Sequence, residues 1–278
     1  YGKLKLENLG ITTTVIPLTN QGLVNKEWLA ENLSSSVKLF IISHVNNHNG
    51  SIQDLDNLSK LIKEMTPQCH LHIDAVQSYG SFEIDVVELK IDSLTLSGHK
   101  ISGPKGIAGL YINKKVKVAP LLIGGGHQDG LRSSTEATSL VKAFNVAREE
   151  VFKDEISKYQ QMNIFLRAAL QKNYKNIVFP YDLKSTSPKI LTFFVKNISS
   201  DILLRHLEEK EIYISSSSAC SSRLRGVSPV FSALNIAKED HKFILRVSLG
   251  WNNTIEQLEM FCKQFHEILN DLEFLLNK

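Results

Sequence analysis

His70-Leu71-His72-Ile73-Asp74-Ala75-Val76-Gln77 is the stretch on which the fold turns. Five residues with β character end in an aspartate, followed by small and polar residues. That is how a buried strand runs out into a loop. The same texture recurs at Ser93–Leu96, which leads into Ser97-Gly98-His99-Lys100, and again at Ile107–Ile112. Upstream, Lys38–Ser43 is another short apolar run, and Ile11–Pro17 is β-branched and apolar. Between these lie segments of helical spacing. Leu23–Leu33 places Val24, Trp28, Leu29 and Leu33 on one side, and Asp54–Met65 repeats Leu55, Leu58, Leu61, Ile62 and Met65. Strands that alternate with helices predict an α/β fold whose mostly parallel central sheet is covered on both faces. The polar residues gather just after strand ends, where open α/β sheets bind ligands.

Beyond Thr135 the pattern is helical as far as about Tyr174, which predicts a long connector of two helices. A strand at Lys189–Val195, a helix at Asp201–Glu209 and a short strand at Glu211–Ile214 follow. A loop, a small helix, a strand at Ile244–Leu249 and a final helix at Ile255–Leu276 complete the chain. The expected organisation is a large domain over residues 1–154 and a smaller α+β domain over residues 155–278. There is no internal repeat, and the one low-complexity stretch is Ser215–Ser218.

With 278 residues, 42% hydrophobic and 22% charged, the chain falls among ordinary globular proteins, which excludes disordered, collagen-like and coiled-coil classes. Thirty-two basic against 29 acidic residues leave a net charge of +3, too small to argue for a nucleic-acid or membrane partner. Apolar runs such as Leu39–Ile42 and Ala119–Ile123 are far too short to span a bilayer. Three cysteines do not make a disulfide scaffold and point to a reducing, cytoplasmic setting.

The chemistry lies at the strand ends. Asp74 closes one strand and Lys100 follows another, 100 − 74 = 26 residues later, a reasonable excursion between neighbouring strands. A carboxylate and an amine placed so suit pyridoxal phosphate (PLP). The lysine holds the cofactor as a Schiff base, and the carboxylate keeps the pyridine nitrogen protonated so that the ring withdraws electrons. Ser97 and His99 flank the lysine as phosphate contacts. Singly, each residue has a blander reading: a strand-end Asp is commonly a helix cap and a Lys is commonly solvated.

These motifs resemble those of the cysteine desulfurases, class V of the PLP-dependent aminotransferase superfamily. The resemblance rests on His-x-Asp-Ala-x-Gln at 72–77, Ser-Gly-His-Lys at 97–100 and Gly-Pro-Lys-Gly at 103–106. It also rests on His44-Val45-Asn46-Asn47, on the glycine-rich segment from Gly124 to Glu136, on Ser215–Ser222 around Cys220, and on Arg246-Val247-Ser248-Leu249-Gly250. It covers nearly the whole chain. It implies a fold-type I PLP enzyme that removes sulfur from L-cysteine, leaving L-alanine and a persulfide for iron–sulfur clusters, thiolated cofactors or tRNA. By the resemblance, Lys100 binds the cofactor and moves protons, and Asp74 pairs with the pyridine nitrogen. Gln77 and Asn47 contact the ring, Ser97 and His99 hold the phosphate, and Thr135 reaches the phosphate of the other subunit of a homodimer. Arg246 and Asn47 take the substrate carboxylate, and Cys220 is the nucleophile. A sulfur-acceptor protein is the implied partner, with no metal, direct nucleic-acid or membrane role.

Cys220 also has a reading of its own, since a small polar loop lets a thiol travel, and Arg223 and Arg225 favour the thiolate. Cys69 and Cys262 read as small buried hydrophobes, without metal-ligand spacing. His127, in a glycine-rich turn, reads equally as a site-edge residue or a solvated one. The chain departs from the family pattern at His48, where Glu is usual, at Ser134 and Ser217 for glycines, and at Ala137 for Asn. It opens at Tyr1, and the family's glycine/threonine phosphate turn and ring-stacking histidine have no match in it. The expectation is a shortened large domain that binds PLP poorly alone. Two other readings stay open: a selenocysteine, carbon–sulfur or carbon–nitrogen lyase on the same scaffold, and a cofactor-free remnant acting as a scaffold.

Overall fold

The computed structural model describes residues 6–152, 155–174, 176–216 and 229–276. Its first sheet is built from β1 (Leu39–Ser43), β2 (His70–Asp74), β3 (Ser93–Ser97) and β4 (Ala108–Ile112), in that spatial order. The first three strands are parallel and β4 is antiparallel to β3. Helix α1 (Lys26–Asn32) precedes β1, and α2 (Leu55–Met65) makes the crossover to β2. Asp54 caps α2 by accepting from the Asn57 amide, the role a short acidic side chain plays at a helix start.

Strand alternation decides which face is buried. Phe40, Leu71, Ile73 and Leu94 point one way and pack in one cluster with Leu55, Leu58 and Ile62 of α2. The opposite face carries Leu39, Ile41, Asp74, Thr95 and Leu110 in matched register. There Leu39, Ile41 and Leu110 are about half exposed. The expectation of helices over both faces therefore fails among the described residues. The β2–β3 connection consists of turns, and β3 passes to β4 through a short loop, so neither supplies a second covering helix. Ile11–Pro17 likewise forms no strand, only an isolated bridge further on from Leu18 to Val24.

Helices α3 (Thr138–Val151) and α4 (Ile156–Asn173) form the connector, as the spacing predicts. The second sheet has the order β5 (Ile177–Val178), β6 (Ile190–Val195), β8 (Ile244–Ser248) and β7 (Ser215–Ser216), antiparallel throughout. Helix α5 (Ser200–Glu208) links β6 to β7, α6 (Pro229–Ala233) precedes β8, and α7 (Ile255–Leu276) ends the fold. The largest core packs Leu191, Phe193, Leu245 and Val247 of this sheet against Leu166 of α4 and Phe265 of α7. A smaller cluster on the other face joins Phe194, Ile244, Tyr181, Phe231 and Leu234. The short strand expected at Glu211–Ile214 lies instead at Ser215–Ser216. Glu211 takes a left-handed turn, and the Ile212 amide bonds back to Leu207, so these residues close α5 rather than start a ladder. Among the described residues, no helix is long and apolar enough to cross a membrane.

Candidate active site

Because β1, β2 and β3 are parallel, their C-terminal ends lie along one edge. Ser43 pairs in register with Asp74, and Asp74 with Thr95. The Asp74 carboxylate is half-buried and accepts from Ser43 Oγ at 3.3 Å and from the Val76 amide at 2.9 Å. Gln77, also half-buried, follows in the same bend. Deeper on that face, Ser93 Oγ bridges His70 Nε2 and His72 Nδ1, at 2.6 and 2.7 Å. Burial, and then the neighbouring His70, hold the His72 pKa below its ordinary value.

At the end of β3 the chain turns through Gly98–Ile101, one short 3-10 turn that carries His99 and Lys100. Both side chains are exposed, and His99 Nδ1 shares a proton with Ser97 Oγ at 2.8 Å. The turn is tight because the Gly98 amide donates to the Ile107 carbonyl and the Gly103 amide to that of Gly98. A Cβ on Gly98 would lie 2.8 Å from Ile107 Cγ2 and 3.3 Å from two carbonyl oxygens. The glycine of Ser-Gly-His-Lys is thus required by close approach.

The 44–53 turn links this edge to the second sheet. Asn46 Oδ1 accepts from the His48 amide at 2.8 Å, and Gly50 turns the chain at φ +79°, beside Ile190. Backbone bonds from Ile52 to Ser185 and from Ser187 to Gly50 fix the turn against the approach to β6. Asn47 is thereby set above β8. Arg246 Nη1 donates to the Asn47 carbonyl at 2.7 Å, and Nη2 to Ser215 Oγ at 3.3 Å. Asn47 follows Ser43 by four residues, so the chain can part them by at most about 14 Å.

Of the residues singled out in the sequence, Asp74, Gln77, Ser97, His99 and Lys100 share the strand-end edge, and Asn47 and Arg246 meet beside it. Thr135 is exposed, and no hydrogen bond joins it to Ser97 or His99. Cys220, Ser217, Arg223 and Arg225 lie outside the described residues. Cys69 and Cys262 are buried, and burial raises both thiol pKa values, that of Cys262 to about 11. His127 is exposed. The sequence reading missed Ser43 as the Asp74 partner and Ser215 as the Arg246 partner. His44 figures in it only as part of the 44–47 motif, with no role; the residue is buried at the β1 end with its ring 5.7 Å from Phe82. Pairing register was the available signal for Ser43.

The donor set fits pyridoxal phosphate. A carboxylate suits the pyridine nitrogen, a hydroxyl and an imidazole suit a phosphate, and an exposed amine suits an aldehyde. The model of the class-V aminotransferase family matches residues 4–261. The chain belongs to the class-V aminotransferase family. Within it, the chain is 33% identical over 276 residues to "Cysteine desulfurase IscS" of Buchnera aphidicola subsp. Schizaphis graminum, covering 97% of this chain and 67% of that protein. A solved structure titled "NIFS-LIKE PROTEIN" superposes with a TM-score of 0.83 at 28% identity, over 96% of this chain and 70% of its own. Another, titled "SspA in complex with cysteine", gives 0.75 at 28% identity, over 88% and 68%. These family members are PLP-dependent enzymes of fold type I. The chain thus spans about two thirds of the relative's length.

Proposed function

We propose that the protein is a cysteine desulfurase, converting L-cysteine and an enzyme thiol into L-alanine and an enzyme persulfide. The observation that carries this reading is the shared edge of Asp74, Ser97, His99 and Lys100, with Asn47 and Arg246 beside it. Bound PLP supplies an electron sink that labilises bonds at the amino acid's α and β carbons. Lys100 holds the cofactor at its amine and carries protons between substrate carbons. Asp74, oriented by Ser43 and the Val76 amide, keeps a proton on the pyridine nitrogen. Ser97 and His99 take the phosphate, Gln77 and Asn47 line the ring, and Thr135 serves the phosphate of the other subunit in a homodimer. Arg246 grips the substrate carboxylate with a planar, bidentate guanidinium. Cys220, as its thiolate, then attacks the substrate sulfur, forming the persulfide S–S bond as the substrate's Cβ–S bond breaks and leaves its electron pair on the carbon skeleton that becomes alanine; the sulfur passes on to an acceptor protein. Residues 1–154 form the cofactor domain and 155–278 the domain carrying Cys220. The setting is cytoplasmic, and iron–sulfur cluster or thio-cofactor synthesis is the destination of the sulfur.

The test compares wild type with Cys220→Ala, each given PLP and L-cysteine. The variant should keep the PLP absorbance and lose alanine and persulfide formation, while Cys69→Ala and Cys262→Ala stay active. Undiminished alanine from Cys220→Ala would replace this reading with a lyase that needs no thiol.

A further inference from the structure

Arg246 lies between Thr192 of β6 and Ser215 of β7 in the register of the second sheet, so the three side chains leave the same face. The 44–53 turn crosses that face. Besides the bond from Arg246 to the Asn47 carbonyl, Thr192 Oγ1 donates to the His48 carbonyl at 2.7 Å. The His48 ring is half-buried and stands edge-on to Phe231, with centroids 5.6 Å apart and planes at 88°. Phe231 is itself buried, on α6, the helix that follows the segment containing Cys220. His48 is therefore fixed twice, by its main chain and by its ring.

An unrestrained histidine beside a guanidinium would turn toward water on protonation. This one is held in the field of Arg246. Burial, and then the Arg246 charge, keep its pKa below the ordinary value. Other titratable groups around it do not relieve that field. Tyr181 behind Asn49 is kept neutral by burial, which raises its pKa. His241 is buried, its ring 5.8 Å from that of Phe231 and its Nε2 bonded to the Ile236 carbonyl at 3.1 Å. His44 begins the turn and burial lowers its pKa to about 4.

We propose that His48 is a proton-linked positioning residue for Arg246: a carboxylate captured by the guanidinium draws a proton onto His48. The anion cancels the field that opposes protonation, and the imidazolium in turn adds attraction for the anion. Linkage makes the two effects equal, so a rise of one pH unit in the His48 pKa means about tenfold tighter anion binding on the acid side. His48 stands where the family pattern has Glu, so the linkage is a property of this chain. It rests on the reading of Arg246 as the carboxylate clamp.

Histidine-labelled NMR of the 278-residue chain separates the two ideas, with L-alanine as the carboxylate probe. The His48 pKa should rise in Arg246→Gln and stay in place in Arg246→Lys, which keeps the charge. It should also rise in wild type saturated with L-alanine. In His48→Gln, alanine affinity should become flat over about pH 5–7, while in wild type it tightens toward acid. An unmoved pKa in Arg246→Gln overturns the linkage and leaves the desulfurase reading standing. A pKa that responds to Arg246→Gln but not to alanine overturns both the linkage and the clamp. Should Arg246→Gln fail to fold, the His48→Gln profile decides: pH dependence equal to wild type overturns the proposal.

Discussion

Arg246 Nη1 and the Asn47 carbonyl lie 2.7 Å apart, joining residues 199 positions distant in the chain. The bond ties β8, an inner strand of the second sheet, to the turn that leaves β1. Through Ser43, that turn begins beside Asp74. The groups read as substrate clamp and as cofactor partner are thus held by one short piece of backbone.

Arg246→Lys keeps the positive charge but cannot reach a carboxylate while bonded to both Asn47 and Ser215, because an ammonium lacks the planar fork. The KM for L-cysteine should rise about tenfold or more, the cost of one charge-assisted hydrogen bond. The kcat should change less. Steady-state alanine production checks this, and an unchanged KM would remove Arg246 from the clamp.

Asp74→Asn is nearly isosteric and keeps an oxygen for Ser43 and Val76. It loses the negative charge that favours a protonated pyridine nitrogen. PLP affinity, followed by absorbance titration, should fall about tenfold or more. Catalysis should fall further, because an unprotonated ring is a poor electron sink.

His44 makes folding stability pH-dependent. Its pKa falls from 6.5 to about 4 on burial, so between these values the unfolded chain binds the extra proton. This contribution is constant above about pH 6.5 and declines as pH falls toward 4, by about 3 kcal/mol in all. Urea unfolding at a series of pH values should show the slope, and His44→Gln should reduce it, leaving the part contributed by His48 and His72, whose pKa values burial also lowers.

Much of this was legible in the sequence. His70–Asp74 is a strand because its apolar residues alternate, Ile190–Val195 because it is a short, nearly continuous apolar run buried at every position, and α2 and α7 show helical spacing from end to end. The strand-end site could be read because a parallel sheet puts such residues on one edge. The bare face of β1 could not. Leu39 and Ile41 read as buried on composition, and only the path of the chain between strands tells whether a helix arrives to cover them. Nor could the Ser43–Asp74 and Ser215–Arg246 pairs, which depend on register, or the Asn47–Arg246 bond, which depends on how two sheets meet.

The most direct test is borohydride reduction of the PLP-loaded protein followed by peptide mapping. One pyridoxyl group should be fixed on Lys100, and Lys100→Ala should retain none. A label on Lys105, five residues further along the same loop, or an unaltered yield in Lys100→Ala, would contradict the assignment of the β3 end as the cofactor site.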